Sequence, residues 1–128
     1  LLKSYCRYLL TDAGKQSLIM RISGCYSLTM YGIRKYFFVM DNLFDPKACP
    51  KPTEIFDLKG SWVDRHVGPP RSEFEKKKAK TQTRKDTDWP ASRFLRLSDD
   101  ARRRILRQAQ RDARFLADNR IMDYSMLL

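Results

Sequence analysis

No apolar run in this sequence approaches the ~20 residues that a bilayer-crossing helix needs, because charges interrupt every one of them well before that length. A helical membrane span is excluded, and any membrane contact is expected to be peripheral. Cysteine is scarce and badly placed for metal binding: Cys6, Cys25 and Cys49 form an odd set with no C-x-x-C pair, and His66 is the only histidine. Free thiols in a reducing compartment, and no metal centre, are the expectation. The start Leu1-Leu2-Lys3-Ser4-Tyr5 has neither the charged segment nor the small-residue cleavage site of a signal peptide, which predicts an internal piece of a longer cytoplasmic chain. No internal repeat is present.

The 128 residues are enough for one core, and their 42% hydrophobic share is ordinary for a globular domain or part of one. Fifteen aromatic side chains, 7 Phe, 6 Tyr and 2 Trp, exclude disorder throughout. Lysine and arginine number 26 against 15 acidic residues, a net charge of +11, and residues 65–128 alone hold 17 basic and 9 acidic side chains. Anionic partners follow: phosphate esters, nucleic acid or an acidic membrane surface.

Along the chain, Leu2, Tyr5, Cys6, Leu9 and Leu10 recur at helical spacing before Asp12 and Gly14 break the pattern. Residues 18–31 and Tyr36–Met40, separated by the turn-like Gly32-Ile33-Arg34-Lys35, read as a β-hairpin whose second strand is largely buried. Pro46, Pro50 and Pro52 form a stiff connector, and Ile55–Leu58 resumes extended structure before Gly60. Residues 68–92, with the run Glu75-Lys76-Lys77-Lys78-Ala79-Lys80, read as a mobile basic loop. Ser98 caps the strongest helix, with Asp99 and Asp100 in its first turn, and the helix should run to about Asn119. On it Ile105, Leu106, Ala109, Ala113 and Leu116 share one arc, and Arg103, Arg104, Arg107, Arg111 and Arg114 the opposite one.

Three constellations can carry chemistry. In Phe56-Asp57-Leu58-Lys59-Gly60-Ser61, an ammonium, a hydroxyl and close backbone N–H groups can converge on a phosphate oxygen; an ordinary strand-to-turn passage with Lys59 solvated is the competing reading. In Ile121-Met122-Asp123-Tyr124-Ser125, an aspartate between a helix and an apolar strand can accept a hydroxyl proton in phosphoryl transfer, or merely cap the helix. The basic run and the arginine face could hold lipid headgroup phosphates or track a nucleic-acid backbone, or serve only solubility. Aromatics are not interleaved with those charges, so nucleic acid is not the expected partner. His66 is read as structural, and Trp62 and Trp89 as anchors of local packing.

The order of these parts, Val39-Met40-Asp41-Asn42-Leu43-Phe44, then Asp57-Leu58-Lys59-Gly60-Ser61, an arginine-rich helix, and Ile121-Met122-Asp123-Tyr124-Ser125, resembles the catalytic domain of the phosphatidylinositol phosphate kinases. That family reads V-M-N-N-L-F, D-L-K-G-S and I-M-D-Y-S-L-L in the same order, and Lys85-Asp86 with Asp88-Trp89 is similar to its K-D-x-D segment. The resemblance covers nearly the whole chain and implies an α+β kinase-like fragment. In it, an antiparallel hairpin of the late N-lobe (1–44) passes through a hinge to the D-L-K-G-S segment and basic loop (45–97), then to a helical C-lobe portion with the catalytic loop (98–128).

The implied activity is transfer of the ATP γ-phosphate, with Mg²⁺, to an inositol-ring hydroxyl of a phosphoinositide at the cytoplasmic face of a membrane. Asp123 would orient or deprotonate the attacking hydroxyl, Lys59 would face the reacting phosphates, and Arg65 would meet the headgroup phosphate. Backbone groups of Met40, Asp41, Asn42 and Leu43 would hold adenine. Asp41 replaces the family's usual Asn, Met126 its Leu, and Trp62 and Asp64 stand where smaller or uncharged residues are usual, beside the implied headgroup site. No Gly-rich loop, paired strand lysine, metal-binding aspartate or activation loop lies within these residues, so the piece alone is expected to be inactive. The alternatives are a non-catalytic basic module acting through the Arg103–Arg114 face, and a degenerate kinase-like scaffold that binds anionic lipid.

Overall fold

Thr11 sets the boundary between the first two helices. It is extended at φ −75°, ψ 159°, and its hydroxyl accepts the Gly14 N–H at 3.0 Å, which ends α1 (Leu2–Leu10) and starts the single turn α2 (Asp12–Lys15). These elements belong to a computed structural model that describes residues 1–45, 47, 52–68 and 82–128. Tyr5 is the buried residue of α1, with Tyr8 and Leu9 half-buried beside it, while Cys6 and Leu10 face solvent. The Tyr5 hydroxyl donates to Met20 O at 3.0 Å and accepts the Ile22 N–H at 2.8 Å, which fastens the helix to the strand that follows.

That strand, β1 (Ile22–Met30), pairs antiparallel with β2 (Ile33–Met40), Met30 opposite Ile33 and Ile22 opposite Met40. The turn is the two-residue Tyr31-Gly32, both left-handed at φ 50° and 77°, the geometry whose twist suits a hairpin. Ile33–Lys35, expected in the turn, therefore belong to the strand. The second strand is not buried either: Phe37, Phe38, Val39 and Met40 are each 45–51% exposed, because this sheet has only two strands and no second layer covers it among the described residues.

A second sheet has the order β4-β3-β5. Its centre, β3 (Ile55–Leu58), runs parallel to β4 (Thr83–Arg84) and antiparallel to β5 (Met126–Leu127). Phe56 is buried at its middle, with the Trp89 ring edge-on at 4.9 Å, and the Arg84 and Arg93 guanidiniums lie over the Phe56 ring and pair with Glu54 at 2.7 and 2.6 Å. Of the stretch expected to be a mobile basic loop, residues 82–92 instead hold β4 and a 3₁₀ turn, Asp86–Asp88. The lysine run 76–80, Cys49, Pro46 and Pro50 lie outside the described residues.

The long helix α3 (Asp99–Asp118) starts where expected, Ser98 Oγ accepting the Ala101 N–H at 3.2 Å, and ends at Asn119. Its arginines at 103, 104, 107, 111 and 114 face solvent. The packed face differs from the expected aliphatic arc: Gln108 and Asp112 are buried, whereas Ile105 and Leu106 are 38% and 51% exposed. The cause is one carboxylate. Asp112 accepts from the Tyr8 hydroxyl at 2.6 Å, Ser17 Oγ at 2.8 Å, the Leu18 N–H at 2.7 Å and Gln108 Nε2 at 2.9 Å. Tyr8 also stacks on Phe115 at 4.3 Å, so α1 and the segment before β1 are drawn onto the polar side of α3. Burial, then the Asp112 hydrogen bond, pushes the Tyr8 hydroxyl up to about 12. The molecule is α+β, and no helix among the described residues is long and apolar enough to cross a membrane.

Candidate active site at the ends of β3 and β5

The antiparallel pairing of β3 with β5 sets Asp57 opposite Leu127 and Leu58 opposite Met126, so the residue after β3 and those before β5 meet at one sheet end. Those residues are Lys59 and Asp123. Lys59 Nζ lies 3.3 Å from Asp123 Oδ1, with the lysine side chain 29% exposed and the aspartate 89%. Asp123 has left-handed backbone, φ 59°, a conformation that aspartate tolerates better than most residues. It does not cap α3. Asn119 does that, donating Nδ2 to Phe115 O at 2.8 Å, while the Ile121 N–H returns to Leu116 O at 2.9 Å. Freed from capping, the Asp123 carboxylate has the Lys59 ammonium as its ion partner and otherwise faces solvent.

Beneath this pair sits Asp86, a residue that patterns of charge and hydropathy did not single out. Its Oδ1 accepts the Lys59 N–H at 2.9 Å and the Gly60 N–H at 2.7 Å; its Oδ2 accepts Arg65 Nε at 2.8 Å. Gly60 is left-handed, φ 70°, which is why glycine occupies the bend. Burial alone would push the Asp86 carboxyl up, but the Arg65 hydrogen bond with the backbone N–H groups outweighs it and holds the carboxyl down to about 2. The three-residue spacing of a K-D-x-D segment before the long helix is the one signal that pointed toward it.

Arg65 also bonds to Asp57 Oδ1 at 2.7 Å and to the Asp57 carbonyl. Its side chain is 12% exposed, and the bonds to Asp86, then Asp57, raise its pKa. Arg65, which the resemblance implies would meet a headgroup phosphate, is engaged by protein carboxylates in this structure. Two carboxylates neutralise its guanidinium, which braces the Lys59 turn from within. Asp88 repeats the device one step on, its carboxylate accepting the N–H groups of Val67, Gly68 and Lys85 at 3.0, 3.1 and 2.9 Å and pairing with His66 Nδ1 at 2.9 Å. Burial opposes the charge on Asp88, but those N–H bonds prevail and its pKa is lowered.

No hydrogen bond or ion pair among the described residues joins Met40–Leu43 to Lys59, Arg65 or Asp123. The Asp41 N–H is committed to Arg21 O at 3.1 Å, and Asn42 O accepts the Asp45 N–H at 3.4 Å. The N–H groups of Asn42 and Leu43 have no acceptor among the described residues. No group of three or more His, Cys, Asp or Glu among the described residues is placed to hold a metal ion by itself. A cavity of about 380 Å³ between α3 and Gln16–Leu18, lined by Arg104, Arg107 and Arg111, shares no residue with the Lys59–Asp123 pair. The pair stands at an open surface.

The family model described as phosphatidylinositol-4-phosphate 5-kinase matches residues 1–128. The chain is 33% identical to phosphatidylinositol 5-phosphate 4-kinase type-2 beta of Rattus norvegicus, over 100% of this chain and 29% of that protein. With the same-named protein of Homo sapiens it shares 32% identity over the same proportions. With phosphatidylinositol 4-phosphate 5-kinase 1 of Arabidopsis thaliana it shares 35%, over 98% of this chain and 15% of that protein. The chain thus spans less than a third of the length of these relatives, and by a match over its whole length it belongs to the phosphatidylinositol-4-phosphate 5-kinase family.

Proposed function

We propose that the protein carrying this chain transfers the γ-phosphate of ATP to a ring hydroxyl of a phosphatidylinositol phosphate, working peripherally at the cytoplasmic face of a membrane. The observation that carries the reading is the 3.3 Å approach of Lys59 to Asp123, two residues 64 positions apart. Asp123 takes the proton of the attacking hydroxyl as its oxygen bonds to the γ-phosphorus and the bond to ADP breaks. Lys59 holds that carboxylate in place and offers its ammonium to the phosphate oxygens. Met40–Leu43 act as the hinge between an N-lobe hairpin and the helical part, and their backbone receives adenine. Mg²⁺ would neutralise phosphate charge when bound.

The relatives' names include a 4-kinase acting on phosphatidylinositol 5-phosphate and a 5-kinase acting on phosphatidylinositol 4-phosphate, so the substrate class is supported and the ring position is open. The test is to supply the full-length protein and Mg²⁺-ATP with vesicles carrying each singly phosphorylated phosphatidylinositol in turn. Phosphorylation of at least one, with the product's ring position identified, is the expected result. Vesicle binding without turnover on any of them would favour the lipid-binding scaffold instead.

A further inference from the structure

The two tryptophans have opposite surroundings. Trp89 packs edge-on against Phe56 and donates its indole N–H to Arg93 O at 3.1 Å. Trp62, expected to anchor local packing as well, is 74% exposed, its neighbour Val63 78%. Trp62 makes no hydrogen bond among the described residues.

The loop that carries them is fixed at both ends. Upstream, Asp86 holds the Lys59 and Gly60 N–H groups; downstream, Asp57 and Asp86 hold the Arg65 side chain. Between these anchors the chain turns through Asp64, left-handed at φ 53°, whose carbonyl accepts Lys85 Nζ at 3.3 Å. A short loop held this tightly, with two large apolar side chains outward, keeps a standing hydrophobic cost in water. Tryptophan, with an apolar body and one polar N–H, is the side chain best suited to the headgroup layer of a bilayer.

We propose that Trp62 and Val63 are a wedge that enters the interfacial layer of the membrane and holds the Lys59–Asp123 site at headgroup depth. The inference rests on the lipid-kinase reading above and deepens it. Charge is not its source: the exposed Asp64 carboxylate on the same turn opposes the nearby Lys85 ammonium. The contribution is apolar, so it is the same on zwitterionic and anionic vesicles and insensitive to salt, unlike that of a basic surface.

The test uses the full-length protein with Trp62→Ser and Val63→Ser combined, and Trp62→Phe for fluorescence. The double variant should raise KM for vesicle-borne phosphoinositide on the order of tenfold, the value of roughly one large apolar side chain withdrawn from the interface. Its kcat and KM on a water-soluble short-chain phosphoinositide should not change. Phosphatidylcholine brominated near the carbonyl end of its acyl chains should quench the emission component that Trp62→Phe removes. Unchanged vesicle KM, an equal loss on the soluble substrate, an effect abolished by high salt, or no quenching of that component would each overturn the wedge. Should the unmodified protein phosphorylate no phosphoinositide, the catalytic reading fails, and quenching by brominated vesicles alone decides for or against the wedge.

Discussion

At Asp86 one carboxylate takes two backbone N–H groups from the Lys59–Gly60 turn and a third donor from Arg65, so the aim of the Lys59 side chain depends on a residue 27 positions away. Asp86→Asn keeps a carbonyl acceptor for the turn but leaves Arg65 less well neutralised. In the full-length enzyme it should lower kcat on the order of tenfold to a hundredfold, since small misplacements of a reacting group cost that much, and Asp86→Ala should cost more. Steady-state kinetics on a competent phosphoinositide check this; unchanged kcat would reduce Asp86 to a packing residue. Lys59→Ala should lower kcat or raise the lipid KM, and if it moves neither, Lys59 is a turn residue only. The pH dependence has a definite sign. Asp86 at about 2 and Asp88, also lowered, sit below the ordinary carboxylate value of 3.8, so the unfolded state holds their protons more tightly. The stability they give is complete above that value and is lost as pH falls through about 2. Denaturant midpoints taken at stepped acid pH should show the decline, and Asp86→Asn should flatten it.

Among the elements, α3 was the most legible in the sequence and also the most misleading. Ser98, the paired aspartates and the arginine spacing place its ends correctly, because capping is local chemistry. Its packed face was not legible, because the partners of Asp112 come from Tyr8, Ser17 and Leu18, 94 to 104 positions away. An aspartate inside a helix, where its intrinsic propensity is poor, is the signal that could have found it. Asp112→Ala should destabilise the fold by about 3 kcal/mol, because it removes a buried acceptor shared by the part-buried Leu18 N–H, two hydroxyls and the Gln108 amide, and Ser98→Ala by about 1 kcal/mol. Both are read from the urea midpoint; an Asp112→Ala effect no larger than that of Ser98→Ala would mean that the network is not what joins α1 to α3. The hairpin was legible from its apolar strands, but its exposed second strand was not, since burial depends on a layer that strand periodicity cannot report.

Across the whole molecule, the order of three short motifs was legible and their meeting was not. Lys59 and Asp123 read singly each had a plain structural alternative, a solvated turn lysine and a helix cap; the β3–β5 pairing puts them 3.3 Å apart. The pairing of Arg65 with Asp57 and Asp86 was not legible either, because adjacency to Lys59 says nothing about which side chains will neutralise it. With Phe37, Phe38, Val39 and Met40 half-exposed and the chain spanning less than a third of its relatives' length, residues 1–128 expressed alone should show no lipid phosphorylation. Phosphate transfer by that polypeptide would show that positioning and charge neutralisation are already complete within it.

The most direct measurement compares full-length wild type with Asp123→Asn for transfer of labelled γ-phosphate from ATP to phosphoinositide vesicles, with nucleotide binding followed in parallel. Turnover should fall to background in the variant while its ATP affinity stays within about twofold, because Asn keeps the shape and loses the proton acceptor. Undiminished turnover in Asp123→Asn would contradict the assignment of the Lys59–Asp123 pair as the reacting site.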